Sequence, residues 1–479
     1  MNYKMIINIL GWVLKIEALA MLIPFICSIC YGESEIKVWA VCILICFAVG
    51  FLLSRRQPKR KAFYAKEGFV TVALSWIVMS LFGTIPFMLS GYIPNFFDAF
   101  FEIVSGFTTT GASILKDVEI IPKSLLMWRS LSHWIGGMGV LVFLMAILPL
   151  SGSSNLYLLR AESPGPAVNK LVPKVKSTAM ILYGIYICFT VIEIVLLLFG
   201  GLDLFEALTL SFGTAGTGGF AILNSGIASY SPYIQYVIAI FMILFGVDFG
   251  IYHILLLRDS KATVLKSDEL KCYFGIITAA IILIFINCRH LFATVEQAFR
   301  HILFTVGSII TTTGYSTVDF NLWPQFSKVI IVLLMFVGAC AGSTGGGMKV
   351  SRIIILLKTI VKEIRTCAHP RTTLKIKMNG RLAEHETIRG VNVYVAAFAS
   401  IFVASLLVIS LDNFSFTTNF TAIAATINNI GPGLEMVGPT GNFSEFSSLS
   451  KLVMSFCMLV GRLEVFPMLI LFSPYTWRK

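Results

Sequence analysis

Four short polar loops that contain glycine, each lying between long apolar runs, are the feature that most constrains the fold of this chain. They are Thr108-Thr109-Thr110-Gly111, Gly216-Thr217-Gly218-Gly219, Thr311-Thr312-Thr313-Gly314 and Asn428-Asn429-Ile430-Gly431. Non-helical backbone at membrane depth is tolerated only where it is buried in protein or lines a water-filled cavity. Four such loops in one chain therefore indicate a central aqueous path.

The composition is that of a polytopic membrane protein. Of the 479 residues, 57% are hydrophobic and only 13% are charged, far from the composition of soluble domains. The run at 272–288 is short for a span, and the run at 328–360 is too long for one straight span. We expect ten crossings, in the apolar runs at about 4–30, 38–54, 67–90, 125–150, 177–200, 233–257, 272–288, 328–360, 391–411 and 449–472. Because the first run contains Lys15 and Glu17 and no small-residue cleavage site, we predict a retained span and not a signal peptide.

The net charge of +12 is concentrated in a few segments. Basic residues crowd the loop 54–66, the segment 258–271 and the segment 358–389. Ten crossings place these segments and both termini on one side of the membrane, which the positive-inside rule identifies as the cytoplasm. The basic charge is therefore a signal of topology, and we expect no nucleic-acid partner.

The four loops belong to an internal repeat. Aligning their glycines places Phe97-Asp98-Ala99 over Phe205-Glu206-Ala207, with the acidic residue thirteen positions before the glycine in both. The third copy, Ala298-Phe299-Arg300, matches with a slip of about one residue, and the fourth, at 417–420, is the most diverged. Each unit reads as an apolar span, an amphipathic segment of about three turns, the loop and a second apolar span. The amphipathic segments are too short to cross a membrane, so we predict re-entrant helices.

These motifs also resemble a known family. The four loops, together with the stretches 128–139, 428–433 and 461–464, resemble the TrkH branch of the Trk/Ktr/HKT potassium transporters from the first span to the C-terminus. The resemblance implies an all-α polytopic membrane protein with four pseudo-symmetric helix–pore-helix–helix repeats around one pore, plus two extra N-terminal helices. It also implies a homodimer in the bacterial cytoplasmic membrane, regulated by a cytoplasmic nucleotide-binding subunit of the TrkA type. No cofactor is expected in the chain, and K⁺ is the expected transported ion.

The repeat and the resemblance together predict the domain boundaries. Residues 1–66 hold the two N-terminal helices and a basic cytoplasmic loop. The pore repeats then occupy 67–150, 151–257, 258–360 with the gating loop, and 361–479 with a basic cytoplasmic linker.

The polar loops are the candidate selectivity filter. Potassium-channel filters replace the water shell of the ion with backbone carbonyl oxygens, and glycine allows the required backbone turn because it adopts positive φ at little cost. Sodium-preferring plant relatives carry Ser at the first filter position, where this chain has Gly111, so the resemblance favours K⁺. In the second loop we choose Gly219 over Gly218 as the equivalent glycine, because Phe220 then matches Tyr315. The resemblance assigns the filter to Thr109, Thr110, Gly111, Thr217, Gly218, Gly219, Thr312, Thr313, Gly314, Asn429, Ile430 and Gly431.

A glycine-rich segment inside the overlong run is the candidate gate. Residues 338–349 contain five glycines, enough to break a helix. They do not form a phosphate-binding loop, because Lys does not directly follow the second Gly of the pattern and no strand precedes it. The resemblance implies an intramembrane gating loop beneath the filter, formed by Gly342, Ser343, Thr344, Gly345, Gly346, Gly347 and Lys349 together with Arg462.

Arg462 lies near the middle of the last apolar run. A charge at that depth usually faces a pore or a partner, and the resemblance places it in the pore below the filter. A snorkelling or structurally paired arginine is the alternative. We expect Glu464, two residues later, on another face of the helix.

Several other polar residues stand out. Asp117, Glu119, Asp319 and Glu435 follow three of the loops, and either attract cations to the pore mouth or are ordinary solvated loop carboxylates. Hydrogen bonding between helices is the interpretation for Glu193, and Asp248 has no assigned role. Arg129 and His133 are candidates for anchoring the pore helices.

Gated, channel-like uptake of K⁺ is the predicted function. A K⁺ symporter driven by Na⁺ or H⁺ and a Na⁺-permeable family member are the alternatives, but units of one orientation differ from the inverted repeats of many secondary transporters. We predict no enzyme, because the sequence lacks the H-E-x-x-H and G-x-S-x-G motifs. The basic segments 54–66 and 358–389 either dock the regulatory subunit or serve topology alone.

Overall fold

A computed structural model describes residues 1–55, 64–139, 175–256, 266–371 and 374–477. Several features of the sequence lie outside the described residues: most of the basic loop 54–66, Arg258, Lys261, the second half of the run 125–150, and the C-terminal Arg478 and Lys479. In the described part of the chain, helices joined by loops account for the regular structure, apart from one short hairpin in which Lys377–Met378 pairs with Arg381–Leu382. The expected all-α membrane fold is thus confirmed.

Three helices precede the repeated part. Helices α1 (Tyr3–Ala20) and α2 (Leu22–Cys30) form one apolar span of 28 residues, and α3 (Ile36–Ser54) forms the next. A Cβ on Gly50 would lie 2.8 Å from the carbonyl oxygen of Gly11, so the glycines allow the backbones of α1 and α3 to touch.

The remaining helices follow one order four times: a first helix, a short helix, a polar loop and a second helix. The first unit has α4 (Ala65–Gly83), α5 (Ile85–Leu89), α6 (Phe96–Phe107) and α7 (Lys123–Met138). The second has α8 (Val175–Phe199), α9 (Leu204–Gly216), α10 (Pro232–Phe245) and α11 (Phe249–Leu256). The third has α12 (Asp268–Cys288), α13 (Val295–Ile310), α14 (Gln325–Val337) and α15 (Val350–Ala368). The fourth has α16 (His385–Ile409), α17 (Phe416–Ile427), α18 (Ser448–Arg462), α19 (Phe466–Phe472) and α20 (Pro474–Trp477).

The four short helices, α6, α9, α13 and α17, begin in the same way. In each, a side chain at the N-cap accepts a backbone N–H of the first turn, and these caps are Asn95, Asp203, Thr294 and Ser415. Three of the helices have 12 or 13 residues, whereas α13 has 16. Counted back from the filter glycine, α13 begins about one turn earlier than the other three helices.

In the described part of the chain, six helices are long and apolar enough to cross a membrane, and a seventh results if α10 and α11, bent by 91°, count as one span. The second helices of the four units are shorter: α7, α10, α14 and α18 have 13 to 16 residues, or about 20–24 Å at 1.5 Å per residue. The predicted crossings at 125–150, 328–360 and 449–472 contain such shorter helices, so the number ten stays a prediction.

Trp128 of α7 connects the N-terminal helices to the first unit. Its buried ring packs edge-on against Trp39 of α3 and Phe107 of α6, with centroids 6.1 and 5.8 Å apart. Its indole N–H donates to the carbonyl of Gly83 at 3.2 Å. The C-terminal end of α6 therefore packs against a cluster of buried aromatic rings.

Candidate functional site: a ring of four loops

The four short helices end in the same backbone geometry. The residue two positions before each glycine adopts positive φ: Thr109 at 55°, Thr217 at 55°, Thr312 at 59° and Asn429 at 56°. The N–H of the next residue then donates to the carbonyl five positions back, at 2.8 Å in all four loops. This is the Schellman motif, which satisfies the free carbonyls at a helix C-terminus. The four loops are thus alike in conformation as well as in sequence.

The glycines have positive φ as well. Gly111, Gly219, Gly314 and Gly431 have φ of 78°, 77°, 83° and 96°. In the second loop Gly219 has this conformation, whereas Gly218 takes the position that Thr110 holds in the first loop.

The four glycines close a ring. A Cβ on Gly111 would collide with the carbonyl oxygen of Gly218, in the second loop. In the same way, Gly219 abuts the carbonyl of Thr313, and Gly314 abuts the carbonyl of Ile430. A Cβ on Gly431 would lie 2.7 Å from the carbonyl oxygen of Thr110, which returns the contacts to the first loop. Each glycine thus faces the residue that precedes the next glycine, and carbonyl oxygens lie at all four contacts.

A cavity of about 240 Å³ adjoins the ring and is lined by residues that follow the four glycines along the chain. All four glycines line it, and among the described lining residues the charged ones are Lys116 and Arg129. The cavity is therefore an entrance to the ring whose described lining contains no carboxylate.

The outer carboxylates instead make local hydrogen bonds. Asp117 accepts the Asn224 side-chain amide at 2.7 Å, and Glu119 accepts the Asn224 backbone N–H at 3.0 Å. Asp319 accepts the Asn321 N–H at 2.9 Å, and Glu435 accepts the hydroxyls of Ser415 and Thr418.

For Asp117 and Glu435, these hydrogen bonds favour the ionised form of the carboxylate. The bond from Asn224 holds the pKa of Asp117 below its ordinary value, and the bond from Ser415 does the same for the pKa of Glu435. A carboxylate that is hydrogen-bonded in this way still carries its charge, so local loop structure and attraction of cations both stay predictions for these four residues.

The glycine-rich segment lies under the ring. Its backbone has positive φ at Gly338, Gly342, Gly347 and Lys349. The N–H of Gly346 donates to the Thr312 hydroxyl at 2.6 Å, and a Cβ on Gly346 would lie 2.7 Å from the carbonyl oxygen of Asn428. The segment therefore touches the third and fourth loops directly.

Two carboxylates hold the ends of this segment. Glu269, at the start of α12, accepts the N–H groups of Ala341 and Ser351 at 2.7 and 3.1 Å. Asp248, at the break between α10 and α11, accepts the Gly250 N–H at 2.8 Å and packs against Gly342. The sequence analysis did not identify Glu269, although its position beside an apolar run was a usable signal.

Arg462 bridges the glycine-rich segment and the first unit. Its guanidinium donates to the carbonyl of Thr344 at 2.7 Å and to the carbonyls of Gly136 and Gly137 at the end of α7. Its partners are backbone carbonyls of the protein interior, which is not the geometry of an arginine snorkelling to the membrane surface.

Glu464 is arranged differently from the sequence expectation of a continuous helix. Helix α18 ends at Arg462, and Glu464 and Val465 have φ of 63° and 65°. Glu464 does point away from Arg462, but it forms an ion pair with Arg352 of α15, whose guanidinium lies 3.9 Å from the ring centroid of Tyr394. Arg352 is a second residue that the sequence analysis missed.

The remaining polar candidates are buried behind the loops. Arg129 forms an ion pair with Glu102 of α6 at 2.8 Å, and the two side chains are 2% and 0% exposed. His133 stacks on Phe220 with ring centroids 4.2 Å apart. Glu193 is fully buried in α8, close to Thr214 of α9. Arg129 thus contacts a short helix, as its candidate role requires, through a carboxylate that the sequence analysis did not single out.

Comparisons with known proteins agree with this architecture. The family model for TrkH, described as cation transport protein, matches residues 35–478. The Trk system potassium uptake protein TrkH of Escherichia coli K12 is 35% identical over 490 residues, covering 100% of both chains. The protein TrkG of the same organism is 30% identical, covering 100% of this chain and 99% of its own. The crystal structure of the potassium transporter TrkH from Vibrio parahaemolyticus superposes with a TM-score of 0.89 at 30% identity, covering 100% of both chains.

Proposed function

The chain belongs to the TrkH family of cation transport proteins, and from that premise we propose that it takes up K⁺ across the bacterial cytoplasmic membrane through the ring of four loops. The relatives named above are potassium uptake proteins and transporters, not enzymes. One observation carries the proposal. Each of the four glycines lies against the backbone carbonyl of the residue that precedes the glycine of the neighbouring loop, so that the four contacts close a ring.

The chemistry of the ring suits a dehydrated cation. Backbone carbonyl oxygens from four loops replace the water molecules that K⁺ leaves behind. The short helices end at the ring, so the negative ends of four helix dipoles point toward the same place. A permeating cation is thus stabilised without a fixed carboxylate that would bind it too tightly.

Permeation in this proposal is channel-like and gated. Four units of one orientation surround one path, and the glycine-rich segment lies across it beneath the third and fourth loops. Arg462 donates to the carbonyl of Thr344 in that segment, and Glu269 accepts the N–H of Ala341. We identify the gate with residues 342–349 and Arg462, as the resemblance implies.

Regulation from the cytoplasm has a mechanical route to this gate. Lys358 of α15 donates to Asp268 at 2.9 Å and to the carbonyl of Lys377 in the hairpin at 2.8 Å. Helix α15 begins directly after the glycine-rich segment, so a partner that moves the hairpin acts on the gate helix. The proposed partner is a nucleotide-binding subunit of the TrkA type, acting on a homodimer of this chain.

The first test is growth and K⁺ uptake at low K⁺ in cells that lack their own uptake systems. Expression of the chain should restore uptake, and co-expression of a nucleotide-binding subunit should change the rate. Absence of K⁺ uptake by correctly inserted protein, with and without the subunit, contradicts the proposal.

The second test addresses selectivity at the ring. Gly111→Ser should lower the K⁺/Na⁺ permeability ratio by about tenfold, the effect of about 1.4 kcal/mol between the two ions, because its Cβ collides with the carbonyl of Gly218. The ratio is measured from reversal potentials in planar bilayers.

Gly91→Ser is the matched control for this variant. Gly91 has φ of 79°, close to the 78° of Gly111, but a Cβ there meets nothing within 4 Å. The control carries similar backbone strain and should keep the wild-type ratio. An unchanged ratio in Gly111→Ser removes Gly111 from the filter.

A further inference from the structure

Arg129 of α7 joins two neighbouring filter loops from behind. Its Nε donates to Glu102 at 2.8 Å, and one terminal nitrogen donates to the Ser113 hydroxyl at 3.3 Å. The other terminal nitrogen donates to the carbonyl of Ala221 at 3.4 Å. Ser113 follows Gly111 by two residues, and Ala221 follows Gly219 by two residues. One guanidinium therefore contacts equivalent positions of the first and second loops.

Glu102 holds the first loop from the side of its own helix. Its carboxylate accepts the Ser113 hydroxyl at 3.0 and 3.1 Å and the Ile114 N–H at 2.9 Å. The carboxylate is completely buried, so these bonds form in a low-dielectric region where charge-assisted hydrogen bonds are strong.

The second loop is held through Phe220. Its ring centroid lies 4.0 Å from the Arg129 guanidinium carbon and 4.2 Å from the His133 ring centroid. His133 also packs against the backbone of Gly218, where an added Cβ would collide with the imidazole. Phe220 and Gly218 flank Gly219, so α7 positions the filter residues of the second loop on both sides of that glycine.

The pair belongs to the first repeat only. Nine positions before the filter glycine, where Glu102 stands, the other three repeats have Leu210, Thr305 and Ala422. A short helix and its loop thus form without this carboxylate. Because a buried ion pair is weak evidence for stability, its presence at one junction of the ring calls for another explanation.

We propose that the Glu102–Arg129 pair is a positioning device that sets the spacing between the first and second filter loops and thereby the preference for K⁺ over Na⁺. This inference rests on the proposed function. Small displacements of a binding constellation are enough to impair it, and residues behind it supply the necessary rigidity. Neither residue need touch the ion.

The test compares Glu102→Gln, Arg129→Gln and the double variant. Each single variant leaves a buried charge without its partner, which favours misassembly. The double variant is neutral and should assemble better, but the glutamine side chain that replaces Arg129 is too short to reach Ala221 and cannot stack as a cation on Phe220. Asp98→Asn is the matched control, because it breaks an ion pair with Lys451, 2.6 Å long, at the outer end of the same helix α6.

The readout is the K⁺/Na⁺ permeability ratio from reversal potentials, which does not depend on the number of active molecules. We expect a loss of about tenfold in the ratio for the three pair variants, corresponding to about 1.4 kcal/mol, and the wild-type ratio for Asp98→Asn. The proposal is overturned if the double variant is monodisperse and keeps the wild-type K⁺/Na⁺ permeability ratio. It is also overturned if Asp98→Asn lowers the ratio as much as the pair variants do.

The two hypotheses fail in different ways. If Gly111→Ser lowers the ratio and the pair variants do not, the positioning role is wrong and the filter stands. If the wild-type chain does not conduct K⁺, the proposed function itself is wrong.

Discussion

The most unusual residues of the site are those with positive φ that are not glycine. Thr109, Thr217 and Thr312 are β-branched, and such residues rarely adopt this conformation. Each such residue costs about 1–3 kcal/mol and persists only where the surroundings enforce it. The enforcing contacts are the Schellman hydrogen bonds and, at Thr312, the bond from Gly346. Strain repeated at equivalent positions of a ring is an indication of function.

At this scale Arg462 provides a prediction about the gate. Arg462→Ala removes the donors to Thr344, Gly136 and Gly137. Hydrogen bonds to charged groups contribute about 1.5–3 kcal/mol, so we expect basal K⁺ flux in liposomes to rise by about tenfold or more while the K⁺/Na⁺ ratio stays unchanged.

Arg462→Lys separates charge from bonding in this experiment. Lysine keeps the positive charge but cannot span three carbonyls with one planar group. If flux remains low in the lysine variant, the effect of Arg462 is due to repulsion between its positive charge and K⁺. If flux rises, the effect is due to the lost hydrogen bonds. Wild-type flux in a monodisperse alanine variant places the gate elsewhere.

At the scale of elements, the second helices of the four units share one property, their short length. All four stop after 13 to 16 residues, short of the roughly 20 residues needed to cross a membrane. Two of them end at a glycine with positive φ, Gly139 and Gly338. The breaks leave the last backbone carbonyls of these helices without partners in the helix, and in the third unit the chain beyond the break is the glycine-rich segment.

The sequence predicts these elements unevenly. The apolar runs, the polar loops and the glycine-rich break are local signals, and they mark the first helices, the four loops and the break before α15 correctly on the chain. The break after Arg462 has a weaker signal, because Leu463, Glu464 and Val465 do not favour a helix end and the local indication is Pro467, in the first turn of α19. The ion pairs of Glu102 and Arg352 join residues far apart in sequence, and nothing local specifies such partners.

Glu269 leads to a prediction about the glycine-rich segment. Its carboxylate accepts the N–H of Ala341 within the segment and the N–H of Ser351 in the first turn of α15, just after the segment ends. Glu269→Ala should loosen the segment and raise basal K⁺ flux by about tenfold, since two hydrogen bonds to a charged acceptor are lost. The measurement is flux in liposomes at matched protein density.

Glu269→Gln is the control for that experiment, because its amide oxygen still accepts both N–H groups. It should conduct far less than the alanine variant. Equal flux in the two variants, or no rise in either, contradicts a holding role for this side chain.

At the scale of the whole molecule, the basic hairpin and the glycine-rich segment that we propose as the gate are connected by hydrogen bonds. The hairpin binds the start of α12 through Asn379 and Asp268, at 2.7 and 3.2 Å. Asp268 is adjacent to Glu269, which holds the glycine-rich segment. The hairpin is therefore linked to the glycine-rich segment by two short routes, through α15 and through the start of α12.

The proposed docking of a nucleotide-binding subunit on the basic face can be tested by charge reversal. Arg365, Lys375 and Lys377 are exposed, and their combined reversal to Glu should weaken association with the nucleotide-binding subunit, because like charge slows encounter and weakens the complex. Wild-type association should fall with rising salt, since exposed charges are screened over about 8–10 Å at physiological ionic strength. Lys37→Glu is the control and should leave association intact. Lys37 is exposed and lies near the start of α3, whereas the basic loop follows the other end of that helix. If the triple reversal co-purifies with the subunit as well as the control does, these charges serve topology alone and the subunit binds another surface.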